Sequence, residues 1–396
     1  MRLARLRLDH YRSYASAELE PDPGLTVIAG PNGAGKTNLL ESVWVAVSGR
    51  SHRTAADAEL VTHGAPLARI SLDLAPVRGG DGKAQVELVL PGVVPPLGLR
   101  RRLTVNGVAR RHTSLADTVR AVLFRPEEML LLIGPRSERR RFLDAILAQR
   151  SPATGRDLAD LARVLAQRNA LLRAIRAEEA DAASLGIWDE QLATIGGRVT
   201  AARLRLVSDL RARIGPLHDA VAPAEELEDQ VGLRYADVLK DAWPGREAAL
   251  VNPGQADPET LAQAIRRRME DIRQKEIWNG MSLVGPQRDD LLVTLAGLPV
   301  AAHASRGQQR TIIVALKLAE TDLLAESGGP APIVLLDDVF SELDPERSAR
   351  GLDLLRQRGQ VLVTITDPGL LPARHRHRVP VWSVGDGRLA RASRVA

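Results

Sequence analysis

Hydrophobic and polar residues alternate with a period of two along much of the N-terminal part of the chain, a pattern typical of β-strands. After residue 60 this alternation predicts strands at Ala68–Leu74, Ala84–Leu90 and Arg101–Val105, separated by clusters of Gly and Pro. An uninterrupted apolar run, Leu25–Ala29, predicts a buried strand that enters a glycine-rich turn, and a helix is expected from about Lys36 to Ser48. The N-terminal region is therefore predicted to be rich in β-structure.

The middle of the chain, from about residue 114 to 282, changes to the longer hydrophobic period of α-helices. The segment Ala183–Gly186 is interpreted as a turn between two antiparallel helices of roughly 30 residues, each roughly 45 Å long. The pairs Gly196–Gly197 and Gly215–Pro216, and the Pro- and Gly-containing stretch Trp243–Pro258, interrupt the apolar pattern, and sustained heptads are missing. A helical lobe without a long coiled coil is therefore predicted, followed by a return to strand, helix and strand.

Composition narrows the class of protein. Of the 396 residues, 44% are hydrophobic and 3% are aromatic, so aliphatic packing is expected to dominate the core. The chain has no cysteine, which excludes disulfides and thiolate zinc sites. The N-terminal segment has no apolar signal-like core, and no stretch of about 18 apolar residues occurs, so a cytoplasmic location is expected. A net charge of +5 over this length is weak support for a polyanionic partner.

The strongest chemical signal is a complete G-x-x-x-x-G-K-T motif, a P-loop, between the predicted buried strand and the predicted helix. Its glycines allow backbone N–H groups to converge on a β-phosphate, and the N-terminus of the helix adds the positive end of its dipole. Lys36 is expected to act catalytically at the β- and γ-phosphates and Thr37 to ligate Mg²⁺, so ATP and Mg²⁺ are the predicted cofactors. The candidate nucleotide-binding residues of this motif are Gly30, Pro31, Asn32, Gly33, Ala34, Gly35, Lys36, Thr37 and Asn38.

A second apolar run, Ile333–Leu336, ends in the carboxylates Asp337 and Asp338. A buried parallel strand presents such side chains at its carboxyl end, where nucleotide sites form. Asp337 is expected to hold Mg²⁺, and Asp338 is the candidate catalytic carboxylate that polarises the attacking water. Directly afterwards, Ser341 and Asp344 belong to a segment that resembles the D-loop of ABC-type ATPases.

Between these two motifs, the segment Ser305–Gln308 begins a predicted helix and resembles the S-x-G-Q signature of ABC-type ATPases. Ser305 is expected to cap the helix and, together with Gly307 and Gln308, to offer hydrogen-bond donors to a γ-phosphate. An ordinary helix cap is the alternative interpretation. The position of the segment shortly before the acidic pair favours the signature.

The order of these four motifs, together with several further segments, is similar to the RecF family of bacterial recombination mediators, a member of the SMC-like branch of ABC ATPases. The resemblance runs over nearly the whole chain. It implies an α/β fold in which an ABC-type P-loop ATPase head, residues 1–113 and 283–396, carries an inserted, mostly helical lobe, residues 114–282. The further segments that carry the resemblance are Gly49–Thr54, Phe124–Glu128, Arg139–Asp144, Gln167–Asn169, Trp188–Leu192 and Gly285–Asp290.

Three positions depart from the pattern of ABC ATPases or of this family. The catalytic carboxylate is usually Glu, whereas the chain has Asp338, and its shorter side chain implies slow hydrolysis. The switch histidine is missing, and Thr366 or Asp367 stands in its place. Gln287 occupies a position where the family usually has His, and no Q-loop glutamine is assigned. Nucleotide binding is expected to be unaffected by these departures.

Three runs of arginine are candidates for contact with DNA: Arg100–Arg102, Arg136 with Arg139–Arg141, and Arg266–Arg268. Aromatic residues do not alternate with these runs, so stacking on single strands is poorly supported, and backbone contact with duplex DNA is favoured. A solvated helix or strand face is the alternative for each run. Within the second run the DNA-binding candidates are Arg139, Arg140 and Arg141.

The resemblance implies an ATP-dependent homodimer, because in ABC-type folds the signature serves the nucleotide held by the P-loop of a second copy. It further implies a weak DNA-dependent ATPase that binds duplex DNA at single-strand gaps and works with RecO and RecR to load RecA. The main alternative is an SMC-like ATPase with a structural role in chromosomes, which the missing coiled coil disfavours. Two further alternatives are a transporter subunit and an ATP-dependent nuclease. The helical insertion and the missing switch histidine disfavour the transporter subunit, and the lack of an additional acidic metal domain disfavours the nuclease.

Overall fold

The structure is a computed structural model that describes residues 1–76, 82–223, 231–243, 245–339, 344–376, 379–385 and 387–392. The chain divides into two compact units. The first unit comprises Met1–Glu128, Ala220–Pro223 and Ile313–Ala396, and the second comprises Met129–Asp219 and Ala224–Ile312.

Strands and helices are numbered in chain order. The strands are β1 (Arg2–Tyr11), β2 (Tyr14–Leu19), β3 (Leu25–Ala29), β4 (Leu67–Ala75), β5 (Ala84–Pro91), β6 (Arg102–Val105), β7 (Val108–Ala109), β8 (Ala121–Phe124), β9 (Val231–Ala236), β10 (Asp290–Leu295), β11 (Leu298–Pro299), β12 (Ile333–Asp337), β13 (Val361–Ile365), β14 (Val381–Gly385) and β15 (Arg388–Ala392). The helices are α1 (Lys36–Ser48), α2 (Leu130–Ile133), α3 (Arg136–Arg150), α4 (Pro152–Arg176), α5 (Gly186–Val221), α6 (Arg246–Val251), α7 (Pro258–Asp271), α8 (Arg273–Asn279), α9 (Val300–His303), α10 (Arg306–Glu326), α11 (Pro345–Arg358) and α12 (Ala373–Arg376). None of the helices in the described ranges has both the length and the apolar character required to span a bilayer.

The first unit contains two six-stranded sheets. One sheet is antiparallel, with the strand order β2-β1-β4-β5-β6-β7, and it confirms the strands predicted from the alternating pattern. Helix α1 packs against strands of both sheets, so its apolar residues are buried on more than one face. The core of the unit therefore includes Leu39, Leu40 and Val43 of this helix together with the inward-facing leucines of β1.

The second sheet of the first unit has the order β15-β14-β3-β13-β12-β8. Its five strands from β14 to β8 are parallel, and β15 joins one edge in the antiparallel direction. Strands β3, β12 and β13 are buried along their whole length, as expected for central parallel strands made of continuous apolar runs. Because these strands are parallel, their carboxyl ends meet at one edge of the sheet, which is where nucleotide sites form in such sheets.

The second unit is largely helical and includes a three-stranded sheet with the order β11-β10-β9. The predicted turn near Ala183–Gly186 is confirmed, because α4 ends at Arg176 and α5 begins at Gly186. The two helices are antiparallel: Arg168 of α4 pairs with Asp189 near the start of α5, at 2.8 Å, and Asp157 pairs with Arg198 further along α5, at 2.7 Å.

Helix α5 is 36 residues long and continues through both glycine-containing pairs that interrupt its apolar pattern. A Cβ atom added at Gly197 would lie 2.3 Å from the carbonyl oxygen of Pro258, at the start of α7. At this position glycine permits close helix packing and does not end the helix.

The two units divide the chain at different positions from the predicted lobes, 1–113 with 283–396 and 114–282. Strand β8 pairs in parallel with β12, so residues 114–128 belong to the first unit. Strand β10 pairs with β9, so the chain from residue 283 to 312 belongs to the second unit. Pairing between strands distant in sequence sets both boundaries, and the local sequence pattern carries little information about such pairing.

Candidate nucleotide-binding site

The glycine-rich loop 30–35 connects β3 to α1, as the sequence predicts. Gly33 and Gly35 have φ values of 81° and 109°, which a residue with a side chain rarely adopts. A Cβ atom at Gly35 would also lie 2.8 Å from Ser13 Oγ. Gly35 caps α1 without any side-chain hydrogen bond, so the first N–H groups of the helix are available to an anion.

The Lys36 side chain is folded onto the loop that precedes it. Its Nζ donates hydrogen bonds to the carbonyl oxygens of Gly30, at 2.8 Å, and Pro31, at 2.9 Å. Burial lowers the pKa of this amine, while the negative charges of Asp338 and Asp337 act in the opposite direction. The loop therefore holds a buried cation at the amino end of α1.

Asp337 lies at the carboxyl end of β12, next to Thr364 of β13. The Oγ1 of Thr37 donates to Asp337 Oδ1 at 3.1 Å, and the Oγ1 of Thr364 donates to the same oxygen at 2.6 Å. The hydroxyl of Thr37 and the carboxylate of Asp337 are thus adjacent although 300 residues separate them in the chain. Hydroxyl and carboxylate oxygens are the ligands that Mg²⁺ prefers, so this pair fits the predicted metal.

Asp338 follows the strand in an unusual backbone conformation. Its φ is 51°, in the left-handed region, and its N–H donates to Thr364 Oγ1 at 3.0 Å. Asp and Asn adopt this region several times more readily than most other residues with side chains. The backbone at this position thus supplies a physical reason for Asp in place of the usual Glu.

Thr364 is a site residue that lies outside every motif recognised in the sequence. It is fully buried in β13, and its hydroxyl contacts both the Asp337 carboxylate and the Asp338 backbone. The available signal was one polar residue inside the apolar run Val361–Ile365.

A second missed feature surrounds Glu41, one turn after the P-loop. The Glu41 carboxylate is fully buried, and Arg12 donates to both of its oxygens at 3.0 Å. Ser51 Oγ donates to Glu41 Oε1 at 2.5 Å. These hydrogen bonds lower the pKa of Glu41 against the opposing effect of burial. The arrangement ties α1 to the turn after β1 and to the Gly49–Thr54 segment, which positions the helix that carries Lys36.

The signature segment begins α10 and forms a capping box. Ser305 Oγ accepts from the Gln308 N–H at 3.2 Å, and Gln308 Oε1 accepts from the Ser305 N–H at 2.8 Å. Ser305, Arg306 and Gly307 are exposed, whereas Gln309 is buried and donates to the Ala304 carbonyl oxygen at 3.0 Å. The cap expected from Ser305 is confirmed, and it is compatible with the signature as well as with an ordinary cap, because Ser305 and Gly307 are exposed.

The two predicted D-loop residues have different outcomes. Ser341 lies outside the described residues. Asp344 caps α11, where its carboxylate accepts from the N–H groups of Glu346 and Arg347 at 3.1 and 3.0 Å. The observed local role of Asp344 is therefore that of a helix cap.

The arginines predicted to contact DNA lie on α3 and differ in their surroundings. Arg139 is 14% exposed and is bound by Asp290 at 2.6 Å, and Arg140 donates to the Asp289 carbonyl oxygen at 2.9 Å. Arg141 is 72% exposed and pairs with Glu138 at 2.6 Å. Arg139 and Arg140 thus serve contacts within the second unit, and Arg141 is the one of these three that is turned to solvent.

The positions that depart from the family pattern also have local partners. Asp367 is exposed and accepts from the Gly369 N–H at 2.8 Å, and Thr366 is half-buried at the end of β13. Gln287 donates to the Val284 carbonyl oxygen at 2.6 Å. Asp367 and Gln287 thus support turns of their own segments.

A parallel sheet, a glycine loop before a helix, and a Thr37–Asp337 pair at the carboxyl edge define the class of the protein as a P-loop ATPase head of the ABC type. The model of the RecF/RecN/SMC N terminal domain matches residues 2–379. Curated relatives over nearly the full length narrow the assignment further. The chain belongs to the RecF family.

Two relatives illustrate the match. The chain is 39% identical to the "DNA replication and repair protein RecF" of Kineococcus radiotolerans, over 97% of the chain and 98% of that protein. It is also 39% identical to the protein of the same name from Frankia alni, over 94% of the chain and 95% of that protein.

Among solved structures, that of the recombination mediator RecF with ATP, described as part of the RecFOR pathway, superposes with a TM-score of 0.82. The two sequences are 25% identical, and the match covers 99% of this chain and 97% of that one. The SMC head bound to the C-terminal winged-helix domain of ScpA matches with a TM-score of 0.54 and 15% identity, covering 99% of this chain and 98% of that one. The second likeness concerns the fold alone.

Proposed function

We propose that the protein is an ATP-gated, DNA-binding recombination mediator in DNA repair. In this proposal two copies dimerise on ATP, hold duplex DNA at single-strand gaps and, with RecO and RecR, promote the loading of RecA. Slow, DNA-dependent ATP hydrolysis opens the dimer. The proposal is supported by the nucleotide site of the first unit, by the exposed signature of the second unit and by the family.

ATP binding is assigned to the loop 30–35 and the start of α1. The backbone N–H groups at this helix terminus face the phosphates, and Lys36 exchanges its two loop carbonyls for β- and γ-phosphate oxygens. Thr37 and Asp337 are the residues that would hold Mg²⁺, directly or through water. The metal, when bound, neutralises charge on the β- and γ-phosphates.

Hydrolysis is assigned to Asp338, which orients and polarises the water that attacks the γ-phosphate. Thr364 fixes the backbone of this residue through the hydrogen bond to its N–H, so the carboxylate is presented from one backbone conformation. An Asp side chain is one methylene shorter than Glu, and we expect slow turnover for that reason. Slow turnover suits a switch, because the ATP state lasts long enough to act on DNA.

Dimerisation is the step that the exposed signature supports. In the ABC-type arrangement, Ser305 and Gly307 of a second copy donate to the γ-phosphate held by Lys36 of the first. Identical chains then form a two-fold dimer with two composite sites. ADP lacks the phosphate that these donors contact, so ATP and not ADP stabilises the dimer.

The exposed capping box is the observation that carries the dimer proposal. Ser305 and Gln308 satisfy each other, and Ser305, Arg306 and Gly307 are exposed residues. A buried, fully enclosed cap at this position would have left nothing for a second copy to contact.

The deciding experiment measures mass by light scattering for the full chain with ATP, with ADP and without nucleotide, each with and without a gapped duplex. We expect the mass to double with ATP but not with ADP or without nucleotide. We also expect the ATP-bound dimer to retain the gapped duplex. A mass independent of nucleotide, or DNA binding equal in ATP and ADP, contradicts the proposal.

The DNA surface of the second unit is tested with two matched arginines. Arg141 is 72% exposed and pairs with Glu138, and Arg163 is 70% exposed and pairs with Asp160, each through an i,i+3 contact. We expect Arg141→Ala to weaken duplex binding and to reduce the log–log salt slope by about 1, because one phosphate contact is lost. Arg163→Ala should leave both unchanged. Equal effects of the two variants contradict a specific role for Arg141.

A further inference from the structure

The connection between β5 and β6 exposes a concentrated group of apolar side chains. Val93 is 84% exposed, Val94 is 82% exposed and Leu97 is fully exposed. All residues from 93 to 98 are exposed, and none of them has a polar or charged side chain. We name residues 93–98 the apolar tip. Contiguous exposed apolar surface of this kind marks a site of interaction.

The apolar tip is held in a defined conformation. Before it, the Gly92 N–H donates to the Pro66 carbonyl oxygen at 2.9 Å, and a Cβ atom at residue 92 would lie 2.5 Å from the Ala65 carbonyl oxygen. Within it, the Leu99 N–H donates to the Pro96 carbonyl oxygen at 3.0 Å, and Gly98 has a φ of 78°. This is a β-turn with Leu97 at its apex and glycine at the position that requires positive φ. A preset turn loses little conformational entropy when it binds.

Arginines are concentrated at the base of the tip, in the segment that follows it and pairs with β5. The segment Arg100–Arg111 contains five arginines and no acidic residue. Strands β6 and β7 pair antiparallel, and the Arg110 N–H donates to the Leu103 carbonyl oxygen at 2.9 Å, so both ends of the segment meet at the side of the sheet where the tip begins. We name the four exposed members the arginine collar: Arg100, Arg102, Arg110 and Arg111.

The collar carries charge that the described residues leave largely unneutralised. Arg102 approaches Glu87 at 3.9 Å, at the limit of an ion pair. In the described part of the chain no carboxylate pairs with Arg100, Arg110 or Arg111. Arg101 is different, since it binds Asp57 at 2.6 Å and the Gly49 carbonyl oxygen at 2.8 Å and anchors the segment to the end of α1.

Charge complementarity selects the ligand. An apolar projection beside arginines, three of which have no carboxylate partner among the described residues, suits a polyanion that has an apolar interior and a groove leading to it. Duplex DNA has both features. Aliphatic side chains and proline are the types that wedge between base steps from the minor groove, while neighbouring arginines hold phosphates. No aromatic residue occurs between residues 82 and 111, so the surface is not a stacking platform for single strands.

We propose that the apolar tip enters the minor groove of duplex DNA, with Leu97 wedged at a base step and the arginine collar on the flanking phosphates. This inference rests on the proposed function, because duplex DNA is the ligand of the ATP form. Beyond the proposed function, the inference assigns a DNA-contact site to the first unit and predicts that the bound DNA is deformed. A wedge kinks the duplex, so the bound DNA is bent and flexible pyrimidine–purine steps are favoured.

The test uses the full chain with ATP and a duplex of about 20 base pairs labelled with a donor and an acceptor dye at its two ends. Anisotropy reports affinity, and energy transfer reports bending. For the wild type we expect binding together with increased energy transfer. For Leu97→Ser we expect the increase to fall at least about twofold at saturation and the affinity to fall about tenfold, because one leucine loses its apolar contact.

One further variant tests the arginine collar separately from the apolar tip, and another serves as a control. Arg110→Ala should weaken binding and lower the log–log salt slope by about 1 while the bend at saturation persists. Val251→Ser is the matched control, because Val251 is also an exposed apolar side chain, at 75%, and belongs to the second unit. It should change neither affinity nor energy transfer.

The outcomes distinguish this inference from the proposed function. If the wild type fails to bind duplex in its ATP form, the proposed function is wrong and the inference falls with it. If the wild type binds and Leu97→Ser binds and bends equally well, the inference alone is overturned. Binding to phosphatidylglycerol vesicles that Leu97→Ser abolishes, with duplex bending unchanged, also overturns it and assigns the tip to a lipid surface.

Discussion

The nucleotide-binding edge of the first unit and the signature segment of the second unit both contain polar side chains with hydrogen-bond partners. The two regions differ in where those partners lie in the chain. At the edge, Lys36, Thr37 and Asp337 are tied to other parts of the first unit by short hydrogen bonds. In the signature, Ser305 and Gln308 bond to each other and remain at the surface. The first region joins residues that are distant in the chain, whereas the second forms a local cap with an exposed serine.

The difference teaches which kind of contact each region depends on. The edge needs residues 300 positions apart, and it exists only when the parallel sheet is formed. The signature needs residues three positions apart and forms with one helical turn. Substitution at the edge is therefore expected to affect nucleotide binding itself, and substitution in the signature is expected to affect association of two copies.

The largest effect is expected from Lys36→Ala, which removes the one side-chain cation of the P-loop motif. We expect ATP affinity to fall at least about 100-fold, because charge-assisted hydrogen bonds to two phosphates are lost. Isothermal titration calorimetry measures this directly. Lys83→Ala is the control, since Lys83 is exposed in the same unit and should leave ATP affinity unchanged. Low-micromolar affinity in Lys36→Ala contradicts the assignment of the nucleotide site.

The next effect is on assembly. Ser305→Arg should leave ATP affinity within about threefold of the wild type yet prevent the ATP-dependent dimer, because a bulky cation replaces a donor at the interface. Ser151→Arg is a closely matched control: Ser151 also caps a helix and accepts from the N–H three residues later, at 3.2 Å.

Each of these two variants loses a helix N-cap, which lowers the free energy of unfolding by about 1 kcal/mol. A difference between the two variants therefore does not come from the lost cap. Light scattering with ATP is the measurement. A normal dimer from Ser305→Arg shows that the signature assignment is wrong, and loss of the dimer in both variants shows that capping alone explains the result.

A smaller effect separates the two carboxylates within the edge. Asp338→Asn should slow hydrolysis by about 100-fold while preserving the ATP dimer, because an amide cannot polarise the attacking water. Asn also tolerates the φ of 51° at this position, so the backbone should be retained. Asp337→Ala should instead weaken Mg²⁺-dependent ATP binding. Single-turnover hydrolysis and ATP titrations with and without Mg²⁺ test both, and equal losses of affinity contradict separate roles.

The smallest effect concerns a polar group that the second unit encloses completely. Asp289 accepts from the Tyr235 hydroxyl at 2.6 Å, and burial raises its pKa to about 7 against the opposing influence of that hydrogen bond and of Arg203. A carboxyl whose pKa is raised by folding favours the folded state when protonated. Its contribution to stability is therefore present below the ordinary value of 3.8 and declines as pH rises towards 7.

Asp289→Asn should remove this part of the pH dependence, because the amide stays neutral. Denaturant unfolding between pH 5 and pH 8 measures the slope of stability against pH. Asp241→Asn is the control, since Asp241 is exposed in the same unit. A slope in Asp289→Asn equal to that of the wild type contradicts the raised pKa.

Much of the candidate site could be predicted because its signals are local. The P-loop, the apolar run before Asp337 and the cap at Ser305 are each set by a few consecutive residues, and the structure places them on the elements expected. Helix α1 was expected from about Lys36 to Ser48 and occupies Lys36–Ser48, with a glycine on each side of it. The family resemblance drew on the same short segments.

The sequence did not reveal the partners that hold these residues in place. Thr364, Arg12 and Glu41 each act on the site through a neighbour, and their local sequence does not identify that neighbour. The arginines predicted to contact DNA had a clear local pattern, a basic run, but the pattern did not identify their contacts. Arg139 and Arg140 bind groups of their own unit. The sequence specifies the charge of each side chain, whereas the tertiary structure determines which group the side chain contacts.

By itself, then, the sequence determined the class of fold, the nucleotide-binding loop and the order of the motifs, since backbone preferences and hydrophobic periodicity act over short distances. The tertiary structure decided that Thr37 meets Asp337, that Asp338 adopts a left-handed backbone, and that Arg139 is enclosed while the 93–98 tip is exposed. These outcomes depend on strand pairing and burial between segments far apart in the chain. Such pairing minimises the free energy of the whole fold, and no short window of residues contains it.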